Sequence, residues 1–310
     1  MTSVVALAGG VGGSKLAFGL YAQLAARLTV AVNTGDDETI YGLRVCPDLD
    51  TVRYTLSGMA NAETGWGIAG DTFHALEQLD LYGLETWFRL GDRDLAANLA
   101  RTELLRRGKR LTEVETQLDE RSGLCCSLLP MCDEPVATRI TTAGGEVLAF
   151  QEYFVKRHHR DDVRQVAFQG IEQAGVSPEL RAALENTSCV VLCPSNPIVS
   201  IGPILAVPGL RAMLREMSGP RVAVSPIVGG QAVSGPAGRL MAAAGCEVSV
   251  LGLARLYEDF LTGIVIDGAD GDLASALRDR GLQVLVTDTV MKTPEDKRRL
   301  AGEILEWVPA

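Results

Sequence analysis

Near its start the chain carries a strand, a glycine-rich turn and a helical pattern in immediate succession. Val4–Ala8 is an unbroken apolar run and predicts a buried strand. Four glycines follow within Gly9–Gly13, and a helical pattern then runs from Leu16 to Ala26. Glycine lets the backbone approach a phosphate closely, and the N-terminus of a helix offers free N–H groups to that phosphate. The pattern therefore predicts an α/β fold with a phosphate site at its first turn.

The glycine-rich turn departs from two common nucleotide-binding signatures. In a P-loop the lysine follows the last glycine directly, whereas Lys15 lies two residues after Gly13 and precedes Leu16. The dinucleotide signature ends in a glycine, and counting from Gly10 places Lys15 at that position. An ordinary tight turn is the alternative interpretation. We predict that the phosphate-binding residues are Gly10, Gly12, Gly13 and Lys15.

Carboxylates follow the second predicted strand, Leu28–Val32, in two loops. Asp36 and Asp37 lie in the first loop, and Asp48 and Asp50 lie in the second. At the ends of neighbouring strands these side chains are expected beside the phosphate, where they suit a hard cation. Mg²⁺ takes one or two carboxylates and completes its shell with water and substrate oxygens. The cluster predicts a magnesium site, and for any single aspartate helix capping or solvent exposure is the alternative.

Short apolar runs separated by helical patterns continue along the chain. They are Thr187–Leu192, Arg221–Val224, Glu247–Leu251, Gly263–Ile266 and Leu282–Val286. This alternation predicts a Rossmann-like, doubly wound and mostly parallel sheet with helices on both faces. Ligands bind such sheets at the carboxyl ends of the strands. The loops after two of these strands supply the candidate nucleotide-binding residues Ser195, Asn196, Ser225 and Pro226, although ordinary turns are the alternative for either loop alone.

Residues 58–159 interrupt this alternation. The first half of this range is helical in pattern, and the second half predicts a hairpin with strands Val136–Thr142 and Val147–Phe154. We expect this range to form a smaller helical and hairpin insertion that caps the active site. Residues 1–57 and 160–310 then form the nucleotide-binding core.

A short break in the helical half of this insertion, Gly91–Asp94, contains a single basic residue. The planar guanidinium of Arg93 can orient an anionic or carbonyl group. From this segment alone, an N-cap formed by Asp92 with a solvated Arg93 is the favoured interpretation.

Composition narrows the class of protein. Of the 310 residues 47 % are hydrophobic and only 5 % are aromatic, a balance typical of α/β enzymes. The net charge of −10, without a basic stripe, argues against nucleic-acid binding. We expect no membrane span and no export, and seven cysteines without zinc-like spacing favour the reducing cytoplasm. Three histidines and no nucleophile elbow favour chemistry on bound phosphates over a catalytic triad.

Taken in order and spacing, these segments resemble the 2-phospho-L-lactate transferase family of coenzyme F-420 biosynthesis. The resemblance extends over most of the chain. The matching segments are Gly9–Gly13, Asn33–Asp37, Cys46–Val52, Gly65–Gly67, Asp71–Phe73, Leu90–Asp94, Leu129–Met131, Phe150–Glu152, Pro194–Pro197, Ser200–Ile204, Ser225–Ile227 and Ser234–Pro236.

The resemblance implies a specific reaction. A phospholactyl-type unit (phospholactate, phosphoenolpyruvate or phosphoglycerate) would pass from a guanosine diphosphate-linked donor to the ribityl hydroxyl of the deazaflavin Fo. The hydroxyl would attack the β-phosphorus and expel GMP. For an enzyme of this kind we expect a cytoplasmic homodimer that binds small-molecule substrates.

The resemblance also implies roles for residues. Asp36 and Asp50 would be catalytic and would hold Mg²⁺, and Asp50 is the first candidate for the general base. The guanine nucleotide would be held by Ser195, Asn196 and the Ser225–Pro226 loop. Substrate would be bound by Asp50, Arg93, Asp71 and Thr72.

Two other functions remain open at this point. A regulator that binds nucleotide-sugars without turnover would keep the glycine-rich turn but would not need Asp50 or Arg93. A nicotinamide-dependent oxidoreductase is disfavoured because Lys15 breaks the dinucleotide signature.

Overall fold

The computed structural model describes residues 3–308 and contains one central sheet of seven parallel strands. In order across the sheet the strands are β5 (Ser127–Pro130), β2 (Leu28–Val32), β1 (Val4–Ala8), β9 (Cys189–Leu192), β10 (Arg221–Val224), β13 (Gly263–Asp267) and β14 (Gln283–Thr287).

Three smaller antiparallel sheets accompany the central one. Two are hairpins, and the third has three strands in the order β7–β6–β8. The strands are β3 (Glu38–Ile40) with β4 (Leu43–Val45), β11 (Ile227–Val228) with β12 (Gln231–Ala232), and β6 (Ala137–Thr142) with β7 (Val147–Ala149) and β8 (Val163–Gln169).

Helices cover both faces of the central sheet. The α-helices are α1 (Gly10–Leu24), α2 (Pro47–Leu56), α3 (His74–Leu81), α4 (Asp92–Arg106), α5 (Leu111–Arg121), α6 (Pro178–Glu185), α7 (Ile201–Ala206), α8 (Leu210–Glu216), α9 (Ala237–Ala243), α10 (Val250–Leu256), α11 (Ala274–Arg278) and α12 (Pro294–Trp307). Short 3₁₀ helices occupy Ala25–Arg27, Ile171–Gln173 and Gly268–Leu273, and a π-helical turn occupies Glu152–Lys156. Throughout residues 3–308, each helix is too short or too polar to cross a membrane.

The central strands are apolar throughout because both of their faces are buried. Alternate residues of β1 point to opposite sides of the sheet. Val5 and Leu7 pack with helices α6, α7, α8 and α10, whereas Val4 and Ala6 pack with α1, α2 and α12. A strand buried on both sides therefore reads as an apolar run without alternation, as Val4–Ala8 does.

The strand order reverses direction between β1 and β9, which both lie at the centre of the sheet. From β1 the chain proceeds outward through β2 to β5, and from β9 it proceeds outward on the other side to β14. Val4 pairs in register with Leu28 of β2 and with Cys189 of β9. The crevice between the carboxyl ends of β1 and β9 is the ligand site expected of this topology.

The predicted doubly wound parallel sheet is confirmed, and most of its strands lie where the sequence predicts them. One predicted strand is wrong: Glu247–Leu251 leads into helix α10, whose N-cap is Ser249. The Ser249 hydroxyl accepts a hydrogen bond from the N–H of Gly252 and so starts a helix. The predicted second hairpin strand is also too long, because β7 ends at Ala149 and a π-helical turn follows.

The four short strands of the two hairpins were missed, and so were two longer strands at or beyond the predicted insertion. β5 joins the central sheet beside β2, although the sequence analysis places it within residues 58–159. β8 pairs with β6 along six residues of each strand, so the hairpin is part of a three-stranded sheet. The division of the chain at residues 57 and 160 stays a prediction.

Candidate active site

A cavity of about 1050 Å³ lies at the carboxyl edge of the central sheet. It is lined by the segments that follow β1, β9, β10 and β14 and by residues from the segment between β2 and β8. Its position coincides with the point at which the strand order reverses. Several residues predicted for phosphate and nucleotide binding lie in this lining: Gly10, Gly12, Lys15, Ser195, Asn196, Ser225 and Pro226.

The glycine-rich turn needs glycine because of its backbone conformation and its close packing. The backbone φ of Gly10 is +59°, in the left-handed region that favours glycine. A Cβ atom on Gly12 would lie 2.6 Å from the carbonyl oxygen of Pro194, and one on Gly13 would collide with the Ser195 hydroxyl. The Ser195 hydroxyl also accepts a hydrogen bond from the N–H of Gly9 and donates one to its carbonyl oxygen. Gly13 is therefore buried packing behind the turn, while Gly10 and Gly12 face the cavity.

The loops after β9 and β10 are held by their own hydrogen bonds. The side-chain Oδ1 of Asn196 accepts from the backbone N–H groups of Ile198 and Val199, at 3.0 and 3.3 Å. The Ser225 hydroxyl is bonded to both backbone groups of Ile227, at 2.9 and 3.0 Å. These side chains fix rigid loops whose residues border the cavity, and the Asn196 amide nitrogen has no bond to any part of the chain that the structure describes.

Asp36 and Asp48 form a buried acidic pair beside the glycine-rich turn. The side-chain amide of Asn33 donates to both carboxylates, at 2.9 Å in the case of Asp48. Burial raises the pKa of Asp36 well above its usual range, and the neighbouring carboxylates raise it further. Burial likewise raises the pKa of Asp48, to about 6, against the opposing effect of the Asn33 amide. Two buried carboxylates that lack a cationic partner among residues 3–308 are suited to hold a divalent cation.

No group of three or more His, Cys, Asp or Glu side chains within the described residues could hold a metal ion. A cation between Asp36 and Asp48 would thus draw its other ligands from water and from substrate oxygens. Mg²⁺ binds proteins in this way, through one or two carboxylates. The residues present fit a magnesium ion that arrives with a phosphate ligand.

Asp50, the other predicted metal ligand, belongs to a different environment. It is part of a buried charge cluster, which we define as Asp50, Arg53, Arg101, Glu115 and Asp119. Its Oδ1 accepts from both guanidinium groups and its Oδ2 accepts from Arg101 at 3.0 Å. Asp50 borders the cavity, but its oxygens are already occupied by arginine donors.

The remaining members complete this cluster between helices α2, α4 and α5. Glu115 accepts from Arg101 at 2.7 Å and also from Arg53, and Asp119 accepts from Arg53 at 2.7 Å. Burial acts to raise the pKa of Glu115, but the two guanidinium groups outweigh it and lower the pKa to about 2. Asp37 is tied elsewhere, in an ion pair of 3.0 Å with Arg44, and does not line the cavity.

Three residues predicted to bind substrate lie outside the cavity lining. The Asp71 carboxylate accepts from the N–H groups of Arg93 and Asp94 and caps α4. The Thr72 hydroxyl donates to Asp92 at 2.6 Å, and Asp92 caps α3 rather than its own helix. The Arg93 side chain is exposed. These residues organise the start of two helices.

Sequence reasoning missed the aromatic side of the cavity. The edge-to-face pair Trp87–Phe88 has ring centroids 5.7 Å apart, and the stacked pair Phe150–Phe154 has centroids 5.5 Å apart. Trp66 also lines the cavity and is 42 % exposed. The available signal was compositional, because a chain with few aromatic residues places six of them in the lining of this cavity.

Arg89 and Asp94 were missed as well, and both line the cavity. Asp94 is the last residue of the Leu90–Asp94 segment on which the prediction rested, and Arg89 directly precedes that segment. The guanidinium of Arg89 lies 4.5 Å from the centre of the Phe73 ring.

Known proteins are similar to this chain along nearly its full length. A family model described as 2-phospho-L-lactate transferase CofD matches residues 4–300. The chain is 40 % identical to the 2-phospho-L-lactate transferases of Methanosarcina mazei (304 residues, 98 % of this chain and 99 % of that protein) and Methanocaldococcus jannaschii (308 residues, 98 % and 97 %). It is also 40 % identical, over 309 residues, to the phosphoenolpyruvate transferase of Streptomyces griseus, covering 98 % of this chain and 97 % of that protein.

Solved structures extend the comparison to the fold alone. The protein BH3568 of Bacillus halodurans is similar to this chain with a TM-score of 0.65, covering 98 % of this chain and 99 % of that one. The two sequences are 15 % identical. At that identity the likeness supports the architecture and says nothing about the reaction.

Proposed function

Because the chain belongs to the 2-phospho-L-lactate transferase (CofD) family, we propose that it transfers a phospholactyl-type unit from a guanosine diphosphate-linked donor to the deazaflavin Fo, releasing GMP. The observation that carries the proposal is that one cavity joins the glycine-rich turn, an acidic pair without a cationic partner among residues 3–308 and several aromatic side chains. At about 1050 Å³ the cavity is at the upper end of ligand pockets, which suits a site that holds two substrates at once.

The donor's diphosphate fits the side of the cavity formed by the glycine-rich turn. The backbone there approaches closely because Gly10 and Gly12 carry no side chain, and the positive end of the α1 dipole points to the same place. Lys15 adds a positive charge on the lining. The Asn196 amide at the neighbouring strand end offers a donor to the nucleotide.

A protein with a net charge of −10 needs additional positive charge to bind a diphosphate, and the acidic pair can supply it by holding a cation. Asp36 and Asp48 would hold Mg²⁺, which when bound supplies positive charge beside the phosphate oxygens. This assignment replaces Asp50 by Asp48 in the predicted ligand pair, because the Asp50 oxygens accept from Arg53 and Arg101.

The acceptor fits the opposite side of the cavity. A planar deazaflavin ring can stack on aromatic side chains, and Trp66, Trp87 and Phe154 border that space. Its ribityl chain would then extend toward the diphosphate. The hydroxyl oxygen forms a bond to the β-phosphorus while the bond from that phosphorus to the bridging oxygen breaks, and GMP leaves. Backbone N–H groups of the turn and Lys15 stabilise the charge that develops on the phosphate oxygens.

The identity of the transferred unit is left to experiment. Relatives at the same 40 % identity are named for 2-phospho-L-lactate and for phosphoenolpyruvate. The two units differ by one double bond, and a pocket can discriminate such a difference through a single side chain. A homodimer and a cytoplasmic location also stay predictions.

The decisive experiment incubates the protein with Fo, Mg²⁺ and each guanosine diphosphate-linked donor: lactyl, enolpyruvyl and glyceryl. Release of GMP and the mass of the deazaflavin product are both measured. We expect product with at least one donor, and the donor with the highest kcat/KM names the substrate. Omission of Mg²⁺ should abolish the product.

Asp48→Asn tests the assignment of the acidic pair. The variant should lower kcat by about 10²-fold or more and raise the Mg²⁺ concentration needed for half-maximal rate. Asp272→Asn, at an exposed position away from the cavity, is the matched control and should behave as wild type. Tight nucleotide binding without product from any donor would contradict the transferase and favour the regulator.

A further inference from the structure

Asp94 is a buried carboxylate on the aromatic side of the cavity that the mechanism above does not use. It lies in the first turn of α4, is 7 % exposed and borders the cavity together with Tyr54 and Leu90. It therefore lies in the same cavity as the glycine-rich turn and the aromatic side chains.

The contacts of Asp94 leave one of its oxygens free. Oδ1 accepts from the Tyr54 hydroxyl at 2.9 Å and from the Asn98 amide at 3.2 Å. Among residues 3–308, Oδ2 accepts no hydrogen bond and no cationic side chain forms an ion pair with this carboxylate. Oδ2 is not fully enclosed by the protein, and Asp94 borders the cavity.

The other carboxylates of the cavity are committed elsewhere. Asp36 and Asp48 share the Asn33 amide beside the glycine-rich turn, and Asp50 accepts from two arginines. Asp94 lies outside both the proposed cation pair and the arginine-bonded carboxylates, and it is held in place through one of its two oxygens.

The charges around Asp94 suit it to exchange a proton near neutral pH. Burial is the largest effect, and together with the Asp50 and Asp71 carboxylates it raises the pKa of Asp94 to about 7. The Tyr54 hydroxyl and the Arg101 guanidinium act in the opposite direction. Burial raises the pKa of Tyr54, so the phenol stays protonated and continues to donate. A base poised near the working pH is the efficient one.

We propose that Asp94 is the general base that activates the acceptor hydroxyl. The inference rests on the proposed transferase function and assigns one step of it. The hydroxyl proton passes to Oδ2 of Asp94 as the hydroxyl oxygen bonds to the β-phosphorus, and GMP leaves with the electrons of the broken bond. Tyr54 holds the carboxylate in place through Oδ1 and is a positioning residue.

Asp94→Asn is the direct test, measured as kcat/KM against pH in the presence of Mg²⁺. The wild type should gain about tenfold per pH unit below pH 7 and level off above it, as a single base requires. Asp94→Asn should lose about 10²–10⁴-fold of the rate and lose this slope. Binding of Fo and of the nucleotide, measured by calorimetry, should change little, and Asp272→Asn should retain both the rate and the profile.

Tyr54→Phe is a second test, and its result does not depend on whether Asp94→Asn folds. Loss of the phenol donor removes an effect that lowers the pKa of Asp94, so the slope should move to higher pH while the plateau rate stays within about tenfold. A purely structural role for Tyr54 would lower the rate at every pH and leave the slope in place.

The outcomes separate the two proposals. If the wild type forms no product with any donor, the transferase assignment fails and this inference fails with it. If the wild type is active but Asp94→Asn keeps its rate and slope, or Tyr54→Phe leaves the slope unmoved, the transferase stands and Asp94 is not the base.

Discussion

Arg101→Met should lower the free energy of unfolding by about 3–5 kcal/mol, the usual cost of removing one partner from a buried ion pair. Arg101 is completely buried and lies at the centre of the buried charge cluster. Its guanidinium donates to Glu115 at 2.7 Å, to both oxygens of Asp50 and to Asn98. Methionine fills much of the same volume but leaves two carboxylates without this donor, so the loss is electrostatic rather than a loss of packing.

Arg107, the C-cap residue of the same helix, provides the comparison. It pairs with Glu103 at 2.9 Å, but both side chains of that pair are largely exposed to solvent. Exposed pairs contribute about 0.2–1 kcal/mol because water screens them, so Arg107→Met should be nearly silent. The two variants make the same chemical change on one helix and differ in burial.

Urea unfolding followed by circular dichroism measures both variants. With a slope of about 3 kcal/mol per molar urea, Arg101→Met should lower the midpoint by roughly 1–1.7 M, and Arg107→Met by roughly 0.3 M at most. Equal midpoints for the two variants would refute the reasoning, since burial would then not determine the value of the ion pair.

Gly12→Ala should weaken nucleotide binding roughly tenfold or more by calorimetry, because its Cβ would lie 2.6 Å from the Pro194 carbonyl oxygen; Gly144→Ala, whose nearest atom is 3.7 Å away, should bind normally. Glu115→Gln should be most destabilising above about pH 4.5, and its difference from wild type should shrink as pH falls toward 2, because the guanidinium groups hold the pKa of Glu115 at about 2; a difference independent of pH in unfolding titrations would contradict this. Leu7→Ala, in the centre of the sheet, should cost about 2–5 kcal/mol in urea unfolding, and a cost below about 1 kcal/mol would mean that this core collapses around the gap.

The central sheet could be predicted from the sequence because parallel strands buried on both faces leave a simple trace. Val4–Ala8 and Leu28–Val32 are apolar at nearly every position and are each followed by a polar loop. The same signal fails for short segments. Glu247–Leu251 has the composition of a strand, but a serine cap turns its end into a helix, and periodicity cannot separate the two over five residues.

β5 illustrates a second limit. It is only four residues long and ends in proline, so its local pattern is weak. Its place is fixed by pairing with β2, about a hundred residues earlier in the chain. Contacts between such distant segments leave no mark in the local sequence.

The acidic residues of the site show why spacing alone misleads. Pro47–Asp50 was predicted to be a loop, but this segment is the first turn of helix α2. Residues two positions apart on a helix point to different sides. Asp48 therefore faces the glycine-rich turn and Asp50 faces Arg101, although both were correctly expected near the cavity.

The predicted substrate residues around Arg93 show the same limit in another form. Asp71 and Thr72 are polar and lie close in sequence to residues that line the cavity. The Asp71 carboxylate instead caps α4, and the Thr72 hydroxyl donates to Asp92, which caps α3. Capping across two helices depends on tertiary placement. The neighbouring Asp94, one residue after Arg93, points inward because it lies on the buried side of α4.

The central position of β1 also bears on how this chain is made. One of the two neighbours of β1, β9, begins about 180 residues later in the chain. At about 5–20 residues per second, a ribosome leaves that edge of β1 unpaired for roughly 10–40 s. During this interval an apolar strand with open N–H and C=O groups is available to any other strand it meets. The strand order that forms the crevice therefore leaves an aggregation-prone strand exposed during synthesis. Chaperone contact with residues 4–8 is most valuable before β9 has left the ribosome.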